Sequence, residues 1–151
     1  MIMTDPPSTF PPVGDLLPHS GHMLLLDEVV ASGPGFVLCR VVIRPDSTFI
    51  EDARVPGIVA IEYMAQAVGV YAGLNARDRG LPVRIGYLLG TRELILDVDE
   101  FRVGDELLVE AKHQFGDELI GAFDCKVRLL GQVVATGCLN VYQGGEEDIP
   151  A

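Results

Sequence analysis

The sequence predicts an α+β domain in which one long helix packs on one face of an antiparallel sheet. Three observations predict it. A single stretch, Pro56 to Leu74, has the length and composition of a long helix. Most of the remainder consists of short runs rich in Val, Ile, Leu and aromatic residues, separated by Gly, Pro, Asn and Asp turn signals. No internal repeat or shift in composition marks a second domain, and 151 residues is one domain's worth of chain.

Taken in order, Met1 to Pro12 carries four prolines and few core formers, and reads as a tail. Val13 to Pro18 suits one short helical turn stopped by Pro18. Met23 to Val30 is the first strand, Ser32 to Gly35 a turn, and Phe36 to Ile43 the second strand, ended at Pro45-Asp46-Ser47. Pro56 is tolerated in a first helical turn, where its missing N–H costs nothing. Ile58, Val59, Ile61, Met64, Ala65, Ala67, Val68, Val70 and Tyr71 cover nearly every side of the helix, and a helix apolar all round is buried. Gly57, Gly69 and Gly73 each cost about 1 kcal/mol against Ala in a helix interior. They suit a neighbour that approaches closely, for which the sheet is the candidate. Asn75 to Pro82 is the exit. Arg84 to Leu96 is a strand broken at Gly90, and Asp97 to Asp105 is a loop turning at Gly104-Asp105. Leu107 to Phe115, Leu119 to Leu130 and Val133 to Tyr142 form a meander with turns at Gly116-Asp117 and Gly131-Gln132. Residues 144–151 are an acidic tail. Open sheet edges must be covered or paired, and Phe36–Ile43 is the candidate edge for pairing between subunits.

Composition excludes whole classes of function. Eleven Lys and Arg face twenty-two Asp and Glu, for a formal net charge of −11. Binding polyphosphate or anionic lipid needs a dense cationic face, so neither nucleic acid nor membrane is an expected partner. With 48% hydrophobic residues, disorder is excluded as well. The N-terminus shows no basic region followed by an apolar one, and no uninterrupted apolar run approaches the roughly 20 residues that cross a bilayer. A cytoplasmic location is the expectation. Cys39, Cys125 and Cys138 are odd in number, far apart and set in apolar runs, which fits small core hydrophobes rather than a disulfide framework or metal ligands. Three scattered histidines fail the spacing of a metal site.

Glu62 is the anomaly of the helix. Burying a carboxylate costs several kcal/mol, and burial raises its pKa into the range of a general acid or base. Gln66, one turn on and on the same face, is placed to orient it. The alternative is that Glu62 tips into solvent or pairs with Arg40, Arg84 or Arg92. Gly57 stands where free backbone N–H groups and the positive end of the helix dipole favour an oxyanion; the alternative is a glycine with no ligand.

Val55-Pro56-Gly57-Ile58-Val59-Ala60-Ile61-Glu62-Tyr63-Met64-Ala65-Gln66-Ala67 resembles the central-helix motif of the 3-hydroxyacyl-acyl-carrier-protein dehydratases. That motif is a Pro-Gly start, a carboxylate five residues after the glycine, and a Met-Ala-Gln-Ala stretch. Leu17-Pro18-His19 followed by Met23 to Val29 resembles the same family's N-terminal segment, and Val103-Gly104-Asp105-Glu106-Leu107 its turn into a later strand. The resemblance runs from Leu16 to Tyr142. Leu-Pro-His-Ser-Gly and Ile-Glu-Tyr-Met-Ala-Gln are similar to the small dehydratase-like proteins of aryl polyene clusters. The fold it implies is the hotdog, a sheet wrapped around one long helix, normally dimeric, with residues 1–151 as a single such domain.

The resemblance further implies the chemistry: a helix carboxylate, a histidine of the partner subunit and the helix-start amide remove water from a 3-hydroxyacyl thioester. Glu62 matches the carboxylate, Gly57 the amide donor and Gln66 the motif's glutamine. The family's loop histidine has no match, since Thr48 to Val55 contains none. A base near pKa 7 is needed, and His19, then His22, are the candidates to supply it. His113, mid-strand, reads as a surface residue. Tyr63, Met64, Tyr71, Phe49 and Tyr87 are candidates to line an acyl channel or simply to fill the core. Arg77, Arg79, Arg84 and Arg92 are a candidate basic patch for an acidic acyl carrier protein, with coenzyme A as the other carrier. No cofactor is implied. The expected assembly is a homodimer, or a hetero-oligomer with another hotdog subunit. Two alternatives stay open: a non-catalytic subunit that pairs with a complete dehydratase, and an acyl thioesterase.

Overall fold

The computed structural model describes residues 10–18, 21–83, 86–116 and 120–142. The two tails, His19 and Arg84 lie outside these. Strands β1 (Glu28–Gly33), β2 (Phe36–Val42), β6 (Glu106–Gly116), β7 (Ile120–Leu129), β8 (Gln132–Tyr142) and β4 (Tyr87–Leu96) form one antiparallel sheet in the order β1-β2-β6-β7-β8-β4. A separate ribbon pairs β3 (Arg54–Pro56) with β5 (Glu100–Arg102). The helix α1 (Ala60–Asp78) follows a 3-10 turn at Gly57–Val59 and lies on the inner face of the large sheet.

Alternation builds that face. Val37, Cys39 and Val41 of β2, Leu107, Val109 and Ala111 of β6, Phe123, Cys125 and Val127 of β7, and Ala135, Leu139 and Val141 of β8 are all buried. From the helix, Ala60, Tyr63, Met64, Ala67, Val68 and Val70 are buried with them. The helix and its leading turn are long and apolar enough to cross a bilayer, but more than half of that stretch is buried within the fold, as a core helix must be.

Several expectations are corrected. Phe36–Val42 is not an edge: it is paired to β1 on one side and β6 on the other, and the edges are β1 and β4. An alternating strand reads the same in either place, so its pattern carried no edge signal. The first strand begins at Glu28 rather than Met23, because the Leu25 N–H is bonded to a helix side chain instead of a strand. The helix runs on to Asp78; Gly80, at a φ of +67°, is the left-handed residue that closes it just beyond Arg79. The ribbon β3–β5 was hidden in segments read as loops.

The most informative correction concerns the small residues of α1. Gly69 and Gly73 do not face the sheet. A strap, made by residues 13–18 and 21–27, crosses the opposite side of the helix. A Cβ on Gly69 would stand 2.7 Å from Leu17 Cδ2, and one on Gly73 2.3 Å from the Leu16 carbonyl oxygen. Leu16 and Leu17 are buried by this contact. The β3–β5 ribbon closes on the helix start in the same way, since a Cβ on Gly57 would meet the Val98 carbonyl oxygen at 2.4 Å.

A test of sign follows. Gly→Ala inside a helix ordinarily stabilises by about 1 kcal/mol. At Gly73 the added methyl meets backbone, so Gly73→Ala should instead destabilise by about 1–3 kcal/mol in urea unfolding. Gly90→Ala, with nothing within 4 Å of the new Cβ, should not.

Candidate functional site

Helical spacing puts Glu62, Gln66, Gly69 and Gly73 on one face of α1, turn after turn. The strap covers Gly73 with Leu16, Gly69 with Leu17, and Gln66 with Met23 to Leu25. Glu62 is the first position it leaves uncovered. Its side chain is exposed and, among the described residues, makes no hydrogen bond or ion pair. Of the two readings, the structure shows the one in which Glu62 tips into solvent. The helix is enclosed, but its enclosure stops one turn short of Glu62.

Gln66 does not orient Glu62. It is 2% exposed, and is the one buried polar side chain among the described residues. Its Oε1 accepts from the Leu25 N–H at 2.9 Å, and its Nε2 donates to the Met23 carbonyl at 2.6 Å. Both ends of the amide are spent on the strap.

Gly57 is likewise committed, since its N–H donates to the Asp99 carbonyl at 2.8 Å. The amide expected to polarise a carbonyl is already bonded, and the glycine is required by the close approach of Val98 and Asp99.

His22 lies exposed in a 3-10 turn, Gly21–Met23, and its carbonyl accepts from the Thr48 hydroxyl. Phe49 follows Thr48, 46% exposed and at a φ of +70°. Such a φ is uncommon for a bulky residue. Asp52 and Ala53 share it, so the loop before the helix is strained but pinned, with the Ile50 N–H on the Ser47 carbonyl and the Val103 N–H on the Ala53 carbonyl.

Tyr63 is buried against Phe101, ring centroids 6.1 Å apart, and turned away from the Glu62 face. It lines a cavity of about 190 Å³ with His22, Asp27 and Thr48. Burial, and secondly the nearby Asp27 carboxylate, push its hydroxyl up to about 12. Asp27 accepts from the Val42 N–H and from Arg44, both at 2.6 Å, and joins the strap to β2. Sequence reasoning missed that role.

The remaining candidates stand elsewhere. His113 is not a surface residue: half-buried on the inner face, it stacks on Tyr71 with centroids 6.0 Å apart and tilts onto Phe123 at 5.2 Å. Alternation from Leu107 through Val109 and Ala111 was the signal for it. Tyr71 and Arg77 border a larger cavity of about 820 Å³ between the β1–β2 turn and the last turns of α1. At a rise of about 1.5 Å per residue, Arg77 lies roughly 22 Å along the helix from Glu62. Arg77 and Arg79 are exposed at the helix end and Arg92 is exposed on β4. Tyr87 is partly exposed on the same edge strand. Cys39 and Cys125 are buried, which pushes both thiols up to about 12.

The Tyr63 shift sets a pH window. Its pKa is raised in the folded chain, so the stability it contributes is present below the ordinary tyrosine range near 10 and is lost as pH rises through about 12. Tyr63→Phe should flatten the fall in melting temperature between those limits. An unchanged alkaline profile would contradict the assignment.

A family model described as ApeP-like, ApeP dehydratase, matches residues 11–149. The 3-hydroxyacyl-[acyl-carrier-protein] dehydratase FabZ of Psychrobacter arcticus is 31% identical over 135 residues, covering 82% of this chain and 88% of that protein. Among solved structures, the dehydratase heterocomplex ApeI:P from Xenorhabdus doucetiae superposes with a TM-score of 0.87 at 33% identity, over 92% of this chain and 95% of the other. A hypothetical thioesterase protein with coenzyme A from Streptococcus pneumoniae shares the hotdog fold alone, with a TM-score of 0.60 at 13% identity over 78% of this chain and 85% of its own. The sheet wrapped on one helix is the hotdog expected from the motifs, and with the match spanning nearly all of it, the chain belongs to the ApeP-like dehydratase family.

Proposed function

We propose that this chain takes part in removing water from a 3-hydroxyacyl thioester carried on an acyl carrier protein, in biosynthesis of the fatty-acid or aryl-polyene type. It acts as one half of a hetero-oligomer with a second hotdog subunit. The carrying observation is Glu62, a carboxyl left open and unpartnered where the covered face of the core helix ends. The described histidines are not placed as its evident partner: His113 is tied up with Tyr71 and Phe123, and His22 sits out on the strap. The ApeI:P neighbour, a heterocomplex by name, supports a second subunit as the source of the base.

In this reading the second subunit's base takes the C2 proton. The electron pair of that C–H bond forms the C2–C3 double bond, and Glu62 gives its proton to the departing C3 hydroxyl, which leaves as water. The open edge of β4, with Tyr87, Leu88, Leu89 and Ile95 exposed, is the surface that such a subunit would cover. Arg77 and Arg92, both exposed, are proposed as docking cations for an acidic carrier, together with Arg79 and Arg84. The cytoplasm, where loaded carriers reside, is the proposed location.

Glu62→Gln keeps size and hydrogen bonding but removes the acid. In the assembled dehydratase it should lower kcat by about 10²–10⁴-fold with KM little changed. Turnover that survives this substitution would assign the chain a non-catalytic, shape-giving role instead.

A further inference from the structure

From the helix side, one side chain hydrogen-bonds the strap at Met23 and Leu25. Leu16 and Leu17 sit on glycines and are retained by packing, whereas Met23 to Leu25 is retained by the Gln66 amide through the 2.9 Å and 2.6 Å bonds in addition to the packing of Leu24 and Leu25 on the core. Its two contacts need one acceptor and one donor at fixed spacing. A carboxamide offers both, a carboxylate offers only acceptors and an ammonium only donors. At 2% exposure no water substitutes freely, so loss of the amide leaves the Leu25 N–H and the Met23 carbonyl unsatisfied. On its outer side the same turn is tied through the His22 carbonyl to the Thr48 hydroxyl. His22 and Met23 are both exposed.

We propose that Gln66 is a positioning residue for the reaction: it pins the strap edge one helical turn from Glu62 and so fixes the border of the open position. The proposal rests on the reading of Glu62 as the acid. Gln66 acts through the strap and not on the carboxyl.

The experiment uses the assembled dehydratase with a 3-hydroxyacyl thioester of an acyl carrier protein. Gln66→Ala should lower kcat by up to about 100-fold, as misplacement of a supporting group does, with KM for the carrier-bound substrate little moved. Gln66→Glu gives the sharper readout. Its neutral carboxyl reproduces both bonds, with O–H donating to the Met23 carbonyl, while its ionised form presents an acceptor to an acceptor. Burial raises a carboxyl pKa, so the pinned state holds below that pKa and is lost as pH rises through it. Gln66→Glu should therefore match the parent at acidic pH and lose kcat as pH increases. The parent profile, run alongside, accounts for Glu62 on the same helix face and for His22 and Asp27 on the strap. Amide exchange at Leu25 should quicken in step with the loss of kcat. A folded Gln66→Ala with the parental kcat, or a Gln66→Glu profile identical to the parent's, overturns the proposal. If Glu62→Gln retains turnover while Gln66→Ala still lowers kcat, the acid assignment fails and the positioning role stands.

Discussion

Everything in this fold depends on covering a single helix from two sides. A helix as apolar as α1 is stable only when enclosed, and one sheet can enclose only half of it. The second half is closed by the strap, and that closure is possible because Gly69 and Gly73 carry no side chain where Leu16 and Leu17 descend. Interiors pack at near-crystalline density, so the approach is all or nothing. With alanines there the strap would have to ride higher and the leucines would lose their burial.

The same constraint decides which helix position stays open. The strap follows one helix face from Gly73 through Gly69 to Gln66 and stops, which makes Glu62 the first open position on that face. A carboxyl there needs no buried counter-ion while the chain is alone. That helix face is thus enclosed at one end and left open at the other. The edge strand β4, with its exposed apolar residues, is open in the same sense.

Much of this was legible in the residues. The long helix, the three-strand meander and the turn glycines follow from periodicity, and the motif around Pro56 to Ala67 indicated the family. The need for a close neighbour at Gly57, Gly69 and Gly73 was also visible; what was not visible was which neighbour, because a glycine reports a missing side chain and not the identity of what fills the space. A helix apolar all round leaves open whether Glu62 is buried or tips into solvent, because that is decided by where the strap ends, a long-range fact. Leu24 to Asp27 reads as strand by composition, but the Leu24 N–H goes to the Gly21 carbonyl and the Leu25 N–H to Gln66, and only Asp27 reaches β2, through its N–H and its carboxylate. Residues Arg54–Pro56 and Glu100–Arg102 are too short to show a period, so their pairing was hidden. His113 was misread although the alternation from Leu107 already placed it inward.

On the proposed reading, Glu62 is open in the chain alone and is closed by a second hotdog subunit. Glu62→Cys in a Cys138→Ser background tests it directly, because the other two cysteines are buried. The rate of thiol labelling at position 62 should be fast in the isolated chain and fall sharply when the second subunit is added. A position that is already slow to label in the isolated chain, or equally fast in the complex, would contradict the claim.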